Sequence, residues 1–125
     1  MSLLLDTHVL LWWLSDAPAL KFEAREAIGH ASTTVYVSAA SAWEISIKKA
    51  LGKLDSPDDL HSALVANHFQ SLPITVLHAT RAGQLSRHHD DPFDRMLIAQ
   101  AQAEQLTLVT HDTAFQPYGI PILWT

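Results

Sequence analysis

The chain has 125 residues, of which 48% are hydrophobic, and its formal net charge is −5. This length and composition predict one folded domain, residues 1–125, and exclude a disordered protein. The absence of cysteine excludes disulfide bonds and thiolate metal sites and suits a reducing cytoplasm, where we expect the protein to act. No apolar run approaches the ~18 residues that span a membrane, and no basic stretch precedes the first apolar run. We therefore expect neither a membrane span nor a signal peptide.

The hydrophobic pattern predicts strands that alternate with helices. In chain order, the predicted elements are a strand at 2–5, helices at 8–14 and 20–28, a strand at 34–37, a helix from Ser38 or Ser41 to 51, a helix at 57–69, a strand at 72–76, helices at 78–87 and 92–104, and strands at 106–110 and 120–124. Gly29 and Gly52 mark helix ends, and Pro92 occupies a position that the start of a helix tolerates. This alternation is typical of an α/β layer fold with a mostly parallel sheet.

Four acidic residues occupy positions where such a sheet binds ligands, beyond the carboxyl ends of its strands. Asp6 follows the first strand, and Asp112 follows the strand at 106–110. Glu44 and Asp94 lie in the first turns of two later helices. Burying Asp6 would be costly without a partner, and no Lys or Arg is close to it in sequence. Oxygen ligands without thiols favour Mg²⁺ or Mn²⁺ over zinc.

Each acid also has a structural interpretation, which the sequence leaves open. Ser41 and Glu44 have the spacing of a capping box, and Asp6 could cap the helix that follows it. Asp94 lies where a negative charge favours the helix dipole, and Asp112 could form a turn. The four residues are therefore candidates for both catalysis and metal binding, and helix capping remains the alternative.

Histidines and basic residues supply further candidates. The run at 88–91 (His-His-Asp-Asp) together with His111 offers an alternative site for zinc or manganese, although its spacing matches no strong zinc pattern. A solvated loop that touches substrate phosphate is the other interpretation. Candidate substrate-binding residues are Lys48, His88, His89 and Arg95. The negative net charge argues weakly against a nucleic-acid substrate.

The tryptophans are expected to pack in two different ways. Trp43 is expected to pack in the core. Trp12 and Trp13 are adjacent and cannot share one helix face, so one of them could lie at a partner interface.

Four segments resemble the PIN-domain family, in particular the VapC-like toxins of type II toxin–antitoxin systems. They are LLLDTH (3–8), SAASAWEI (38–45), DPFDRMLIA (91–99) and LVTHD (108–112). The resemblance implies a three-layer α/β/α fold and a Mg²⁺- or Mn²⁺-dependent endoribonuclease. It assigns the acidic quartet to Asp6, Glu44, Asp94 and Asp112, with Thr7 and Thr110 in support. It also implies an RNA substrate, a VapB-like antitoxin as partner, and a homodimer. His8 departs from the small serine that is common at its position.

The sequence is also compatible with two other functions. One is a metal-dependent phosphatase that uses Asp6 as a nucleophile. Such enzymes usually carry a second aspartate two residues later, where this chain has His8. The other is a catalytically inert module that keeps the PIN fold for binding. The favoured hypothesis is metal-assisted hydrolysis of an RNA phosphodiester.

Overall fold

The computed structural model describes residues 1–125, which form five strands, six α-helices and one 3₁₀ helix. In chain order they are β1 (Ser2–Leu5), α1 (Thr7–Leu14), α2 (Phe22–Gly29), β2 (Thr34–Ser38), α3 (Ala39–Ala50), α4 (Leu60–Ala66), β3 (Gln70–Leu72), α5 (Val76–Gln84), α6 (Pro92–Glu104), β4 (Thr107–Thr110), the 3₁₀ helix (Thr113–Tyr118) and β5 (Ile122–Trp124).

The strands form one sheet in the order β3-β2-β1-β4-β5, and every pairing is parallel. The central strand β1 pairs with β2 on one side and β4 on the other, so that Leu4 faces Tyr36 and Leu108. Its three leucines are fully buried, because helices cover both faces of a parallel sheet. Because these neighbouring strands are parallel, the carboxyl ends of β2, β1 and β4 lie side by side at one edge of the sheet.

The helices form layers on the two faces of this sheet. Leu3 and Leu5 point to a core formed with α1, α2 and α4. Leu4 points the other way, to a second core formed with α6 and Phe115. Alternate residues of a strand face opposite sides, so one apolar strand serves both cores. The predicted three-layer α/β/α architecture is confirmed.

Two predicted elements differ from the observed ones, and one observed element was not predicted. The strand predicted at 72–76 is wrong after Leu72, because Thr75 caps a helix that already begins at Val76. The helix predicted at 57–69 is shorter, since its cap is Asp59 and the chain turns at His68, whose φ is 59°. The 3₁₀ helix was not predicted.

Two smaller predictions are also corrected. Ser38 caps α3 through a hydrogen bond from the amide of Ala40, which removes Ser41 as the start of that helix. Trp43 is 62% exposed and is not a core residue. It lies edge-on against Phe93 with ring centroids 5.4 Å apart, which joins α3 to the start of α6. No helix of the fold is both long and apolar enough to cross a membrane.

Candidate active site

Asp6 is a buried carboxylate at the junction of β1 and α1. One oxygen accepts a hydrogen bond of 2.7 Å from the amide of His8, so Asp6 caps α1, as one of the two sequence interpretations predicts. The other oxygen accepts from the hydroxyl of Thr110 at 2.5 Å. Burial raises the pKa of Asp6, and these hydrogen bonds only partly oppose it. Asp6 is thus held in one orientation at an energetic cost that a cation would relieve.

Thr110 connects Asp6 to Asp112. Its hydroxyl, which donates to Asp6, also accepts from the backbone amide of Asp112 at 3.0 Å. The Asp112 carboxylate caps the 3₁₀ helix through the amide of Ala114. A single buried hydroxyl therefore joins the Asp6 carboxylate to the Asp112 backbone, across the ends of the neighbouring strands β1 and β4.

Asp94 lies in the first turn of α6 beside His89. Its amide is capped by Asp91, and its carboxylate accepts from Nε2 of His89 at 2.7 Å. Burial raises the pKa of Asp94 to about 6. The nearby charges of Asp91 and Asp6 add to the rise, and the hydrogen bond from His89 opposes it. Crowding of like charges contributes to the raised pKa, but loss of solvent contributes most.

His89, Asp94 and Asp112 bring their ligand atoms within 4.8 Å of one another. An ion with bonds of ~2.1 Å in octahedral geometry needs ligands spaced by roughly 3–4 Å, so these three atoms are close to that spacing. Asp6 is not a member of this group, although its charge acts on Asp94. The two carboxylates are donors that suit Mg²⁺ or Mn²⁺, whereas the imidazole is a donor more common at transition-metal sites, so the group can hold a divalent cation.

Glu44 is buried on α3 but pairs with Lys48 at 3.0 Å and is not a member of the group around Asp94. The capping-box interpretation of Glu44 is wrong, because Ser41 accepts a hydrogen bond from Thr7 instead. That contact joins α1 to α3, so the Thr7 hydroxyl positions these helices and is not a hydrogen-bond donor to the Asp6 carboxylate. The pairing with Glu44 also accounts for Lys48, which is half-buried rather than free.

The alternative metal site at 88–91 and His111 does not form. His88 packs against Tyr118, and Asp91 is the cap of α6. His111 donates from Nδ1 to the carbonyl of Thr125. Only His89 of this set joins the acids, and it does so beside Asp94.

Arg95 has structural contacts rather than an open side chain. Its guanidinium donates to four backbone carbonyls, those of Ala82, Leu85, Ser86 and His89. These bonds fix the segment that presents His89, so the contacts favour a positioning role over the predicted substrate contact.

A cleft of about 480 Å³ opens next to the carboxylates. It is lined by Asp6, His8, Trp12, His111, Asp112 and Thr113. The sequence did not assign Trp12 or His8 to the site, and it offered His111 only as a ligand of the alternative metal site. The spacing of His8 and Trp12, four residues apart on one helix, was the available signal.

The chain thus combines an all-parallel α/β/α sheet with carboxylates that lie beyond the ends of its central strands. Residues 3–120 match the PIN-domain family, and the chain belongs to that family. It is 31% identical over 123 residues to Ribonuclease VapC22 of Mycobacterium tuberculosis, covering 96% of this chain and 94% of that relative.

Solved structures show the same fold at lower identity. The VapBC2 complex of Rickettsia felis, bound to a promoter DNA fragment, matches with a TM-score of 0.74 at 16% identity, over 99% of this chain and 98% of that one. The DNA-bound VapBC complex of Salmonella typhimurium matches with a TM-score of 0.68 at 20% identity, over 99% and 98%.

Proposed function

We propose that this protein is a metal-dependent endoribonuclease and the toxin of a type II toxin–antitoxin pair, acting on RNA in the cytoplasm. The observation that carries the proposal is the convergence of Asp6, Asp94 and Asp112 beyond adjacent strand ends. Its support is the relative, named a ribonuclease, that aligns over 96% of this chain.

Asp94, Asp112 and His89 would hold Mg²⁺ or Mn²⁺, and Asp6 lies beside them. Glu44, which pairs with Lys48 on α3, would contribute its carboxylate charge to the same site. When bound, the ion would supply Lewis-acid activation of water for attack on phosphorus and would neutralise charge on the phosphate. Thr110 keeps one oxygen of Asp6 and the backbone of Asp112 in register. Burial of Asp6 and Asp94 excludes water around the carboxylates and strengthens their attraction for a cation.

The two rival functions are less well supported. A phosphatase that uses Asp6 as its nucleophile usually carries a second aspartate two residues later, where this chain has His8, whose ring lines the cleft beside Asp6. An inert binding module would have no need to retain carboxylates whose burial raises their pKa, as it does for Asp6 and Asp94. Both observations favour hydrolysis by a bound ion.

The test is cleavage of RNA by the purified protein with Mn²⁺, with Mg²⁺ and with excess EDTA. We expect cleavage with either metal, products that carry a 5′-phosphate and a 3′-hydroxyl, and none with EDTA. Asp94→Asn should abolish cleavage, and Asp55→Asn, which removes an exposed charge elsewhere, should not. Cleavage that persists in EDTA, or release of phosphate from small phosphomonoesters without RNA cleavage, would overturn the proposal.

The proposal includes a VapB-like antitoxin and a homodimer as partners. Exposed apolar side chains on α3 and α5 support protein partners, and they are Trp43, Ile47, Val76 and Leu77. Similar solved structures are toxin–antitoxin complexes. Light scattering of the isolated chain tests the homodimer, and inhibition of cleavage by the product of a short neighbouring reading frame tests the antitoxin.

A further inference from the structure

We infer that the cleft beside Asp6 and Asp112 holds an unstacked nucleobase of single-stranded RNA against the ring of Trp12, next to the phosphate that is cleaved. This inference rests on the proposed function, because the cleft adjoins the carboxylates assigned to catalysis. It names the form of RNA that the site accepts and a residue that binds it.

The aromatic wall of the cleft is built by the elements that supply the acids. Trp12 lies on α1, the helix that Asp6 caps, with the ring of His8 at 6.3 Å. His111 directly precedes Asp112, and its ring meets Trp12 edge-on at 6.1 Å. A base stacked on Trp12 therefore keeps its own phosphate near the carboxylates.

The wall is rigid before any ligand arrives. Trp12 is half-buried and packs against the core around α1. His111 is tied to the carbonyl of Thr125, a buried residue whose amide pairs with Thr110. This hydrogen bond from Nδ1 fixes the orientation of the His111 ring in the wall of the cleft. A preformed surface loses little conformational entropy when a base binds.

Trp13 faces a different side of α1 from Trp12. It packs against Phe69, donates its indole N–H to Asn67 and lines a separate cleft. Of the two adjacent tryptophans, only Trp12 therefore lines the cleft beside the carboxylates. The sequence predicts that the two rings cannot share one helix face, but it assigns one of them to a partner interface rather than to a ligand.

The charges of the chain favour a contact that needs no cation. Of eight Lys and Arg residues, four are engaged within the protein. Arg25, Lys48 and Lys49 pair with acids, and Arg95 binds backbone carbonyls. With half of its cations engaged and a net charge of −5, the chain gains less affinity from phosphate contacts than a basic protein would. Stacking needs no charge, and it needs a base already out of a duplex, which selects single strands and loops.

The test uses an RNA of about twelve nucleotides centred on a cleavage position mapped in total RNA. Trp12→Leu keeps apolar bulk against the core but removes the ring, and Trp12→Phe keeps a smaller ring. Phe22→Ala removes an exposed aromatic ring from α2, outside the cleft, and is the matched control. We expect Trp12→Leu to raise KM about 5- to 100-fold with kcat nearly unchanged, and Trp12→Phe to raise it less. Phe22→Ala should match the parent.

An abasic series identifies the base that stacks. Replacing single nucleotides of the RNA by abasic ones should raise KM at one position beside the cleaved bond. The same replacement should cost nothing further in Trp12→Leu, because the two changes remove one contact. Annealing a complementary strand should suppress cleavage.

Four outcomes separate the possibilities. Parental kinetics in Trp12→Leu, or an abasic penalty that persists in this variant, would overturn the inference while the proposed function stands. If Trp12→Leu cleaves RNA like the parent but no longer binds the antitoxin, the inference is overturned, and the cleft binds a protein instead. Efficient cleavage of the annealed duplex would also contradict it. A parent protein that cleaves no RNA with metal present would overturn both.

Discussion

Removing the charge of Asp94 should stabilise the metal-free protein at neutral pH. The folded protein raises the pKa of this carboxyl to about 6, against 3.8 for an unshifted aspartate, mainly through burial. The folded protein therefore binds the proton of Asp94 more tightly than the unfolded chain does. The protonated carboxyl of Asp94 therefore adds to the free energy of unfolding. This contribution is fully present below pH 3.8 and is lost as the pH rises through about 6.

The size of the effect follows from the same pKa. A difference between about 6 and 3.8 corresponds to about 3 kcal/mol at ~1.4 kcal/mol per pH unit. The side chain is 20% exposed, and solvent screening reduces the effect, so we expect about 1–2 kcal/mol. Asp6 acts in the same direction through its own carboxyl group, because burial raises its pKa as well.

The assay is urea unfolding of the parent and Asp94→Asn in EDTA across this pH range. The free energy of unfolding of the variant, relative to the parent, should rise by about 1–2 kcal/mol from about pH 4 to about pH 7.5. Asp55→Asn controls for the loss of one negative charge. A difference that is constant across the range, or that falls, would refute the assignment of Asp94 as a buried, costly carboxylate. Added Mn²⁺ should stabilise the parent and leave Asp94→Asn nearly unchanged.

Three further substitutions have expected outcomes. Thr110→Val should lower cleavage about 10- to 100-fold, because it frees the Asp6 carboxylate and the Asp112 amide, and unchanged initial rates would contradict this. His89→Ala should weaken Mn²⁺ binding about 10-fold in calorimetry, and equal affinity would exclude His89 as a ligand. Arg95→Met should cost about 1–3 kcal/mol of unfolding free energy, since it leaves carbonyls without donors. The exposed Arg81→Met is its control, and an equal effect of both would remove the positioning role.

Much of the fold could be predicted because its signals are local. The apolar run of β1, the β-branched run of β2 and Pro92 at the start of α6 identify their elements directly. The parallel topology then places Asp6 and Asp112 at one edge, since their strands are neighbours. Elements whose ends depend on a cap were less accurate, as at Thr75.

The rest of the site depends on contacts that sequence spacing does not show. His89 meets Asp94 only because Arg95 and neighbouring carbonyls fix the loop, and those bonds are tertiary. The pairing of Glu44 with Lys48 has the spacing of four residues that allows a helix ion pair and could have been predicted. Placing Trp12 in the cleft required knowing which face of α1 packs against the core, and the sequence does not show this.

The central claim is that carboxylates gathered at this sheet edge make the chain a metal-dependent ribonuclease. Mapping of RNA 5′ ends after controlled expression of the parent and of Asp94→Asn tests it most directly. The account predicts new 5′-phosphate ends at a small set of single-stranded positions with the parent, and none with the variant at equal protein level. The same ends in both strains, or no new ends in either, would contradict it.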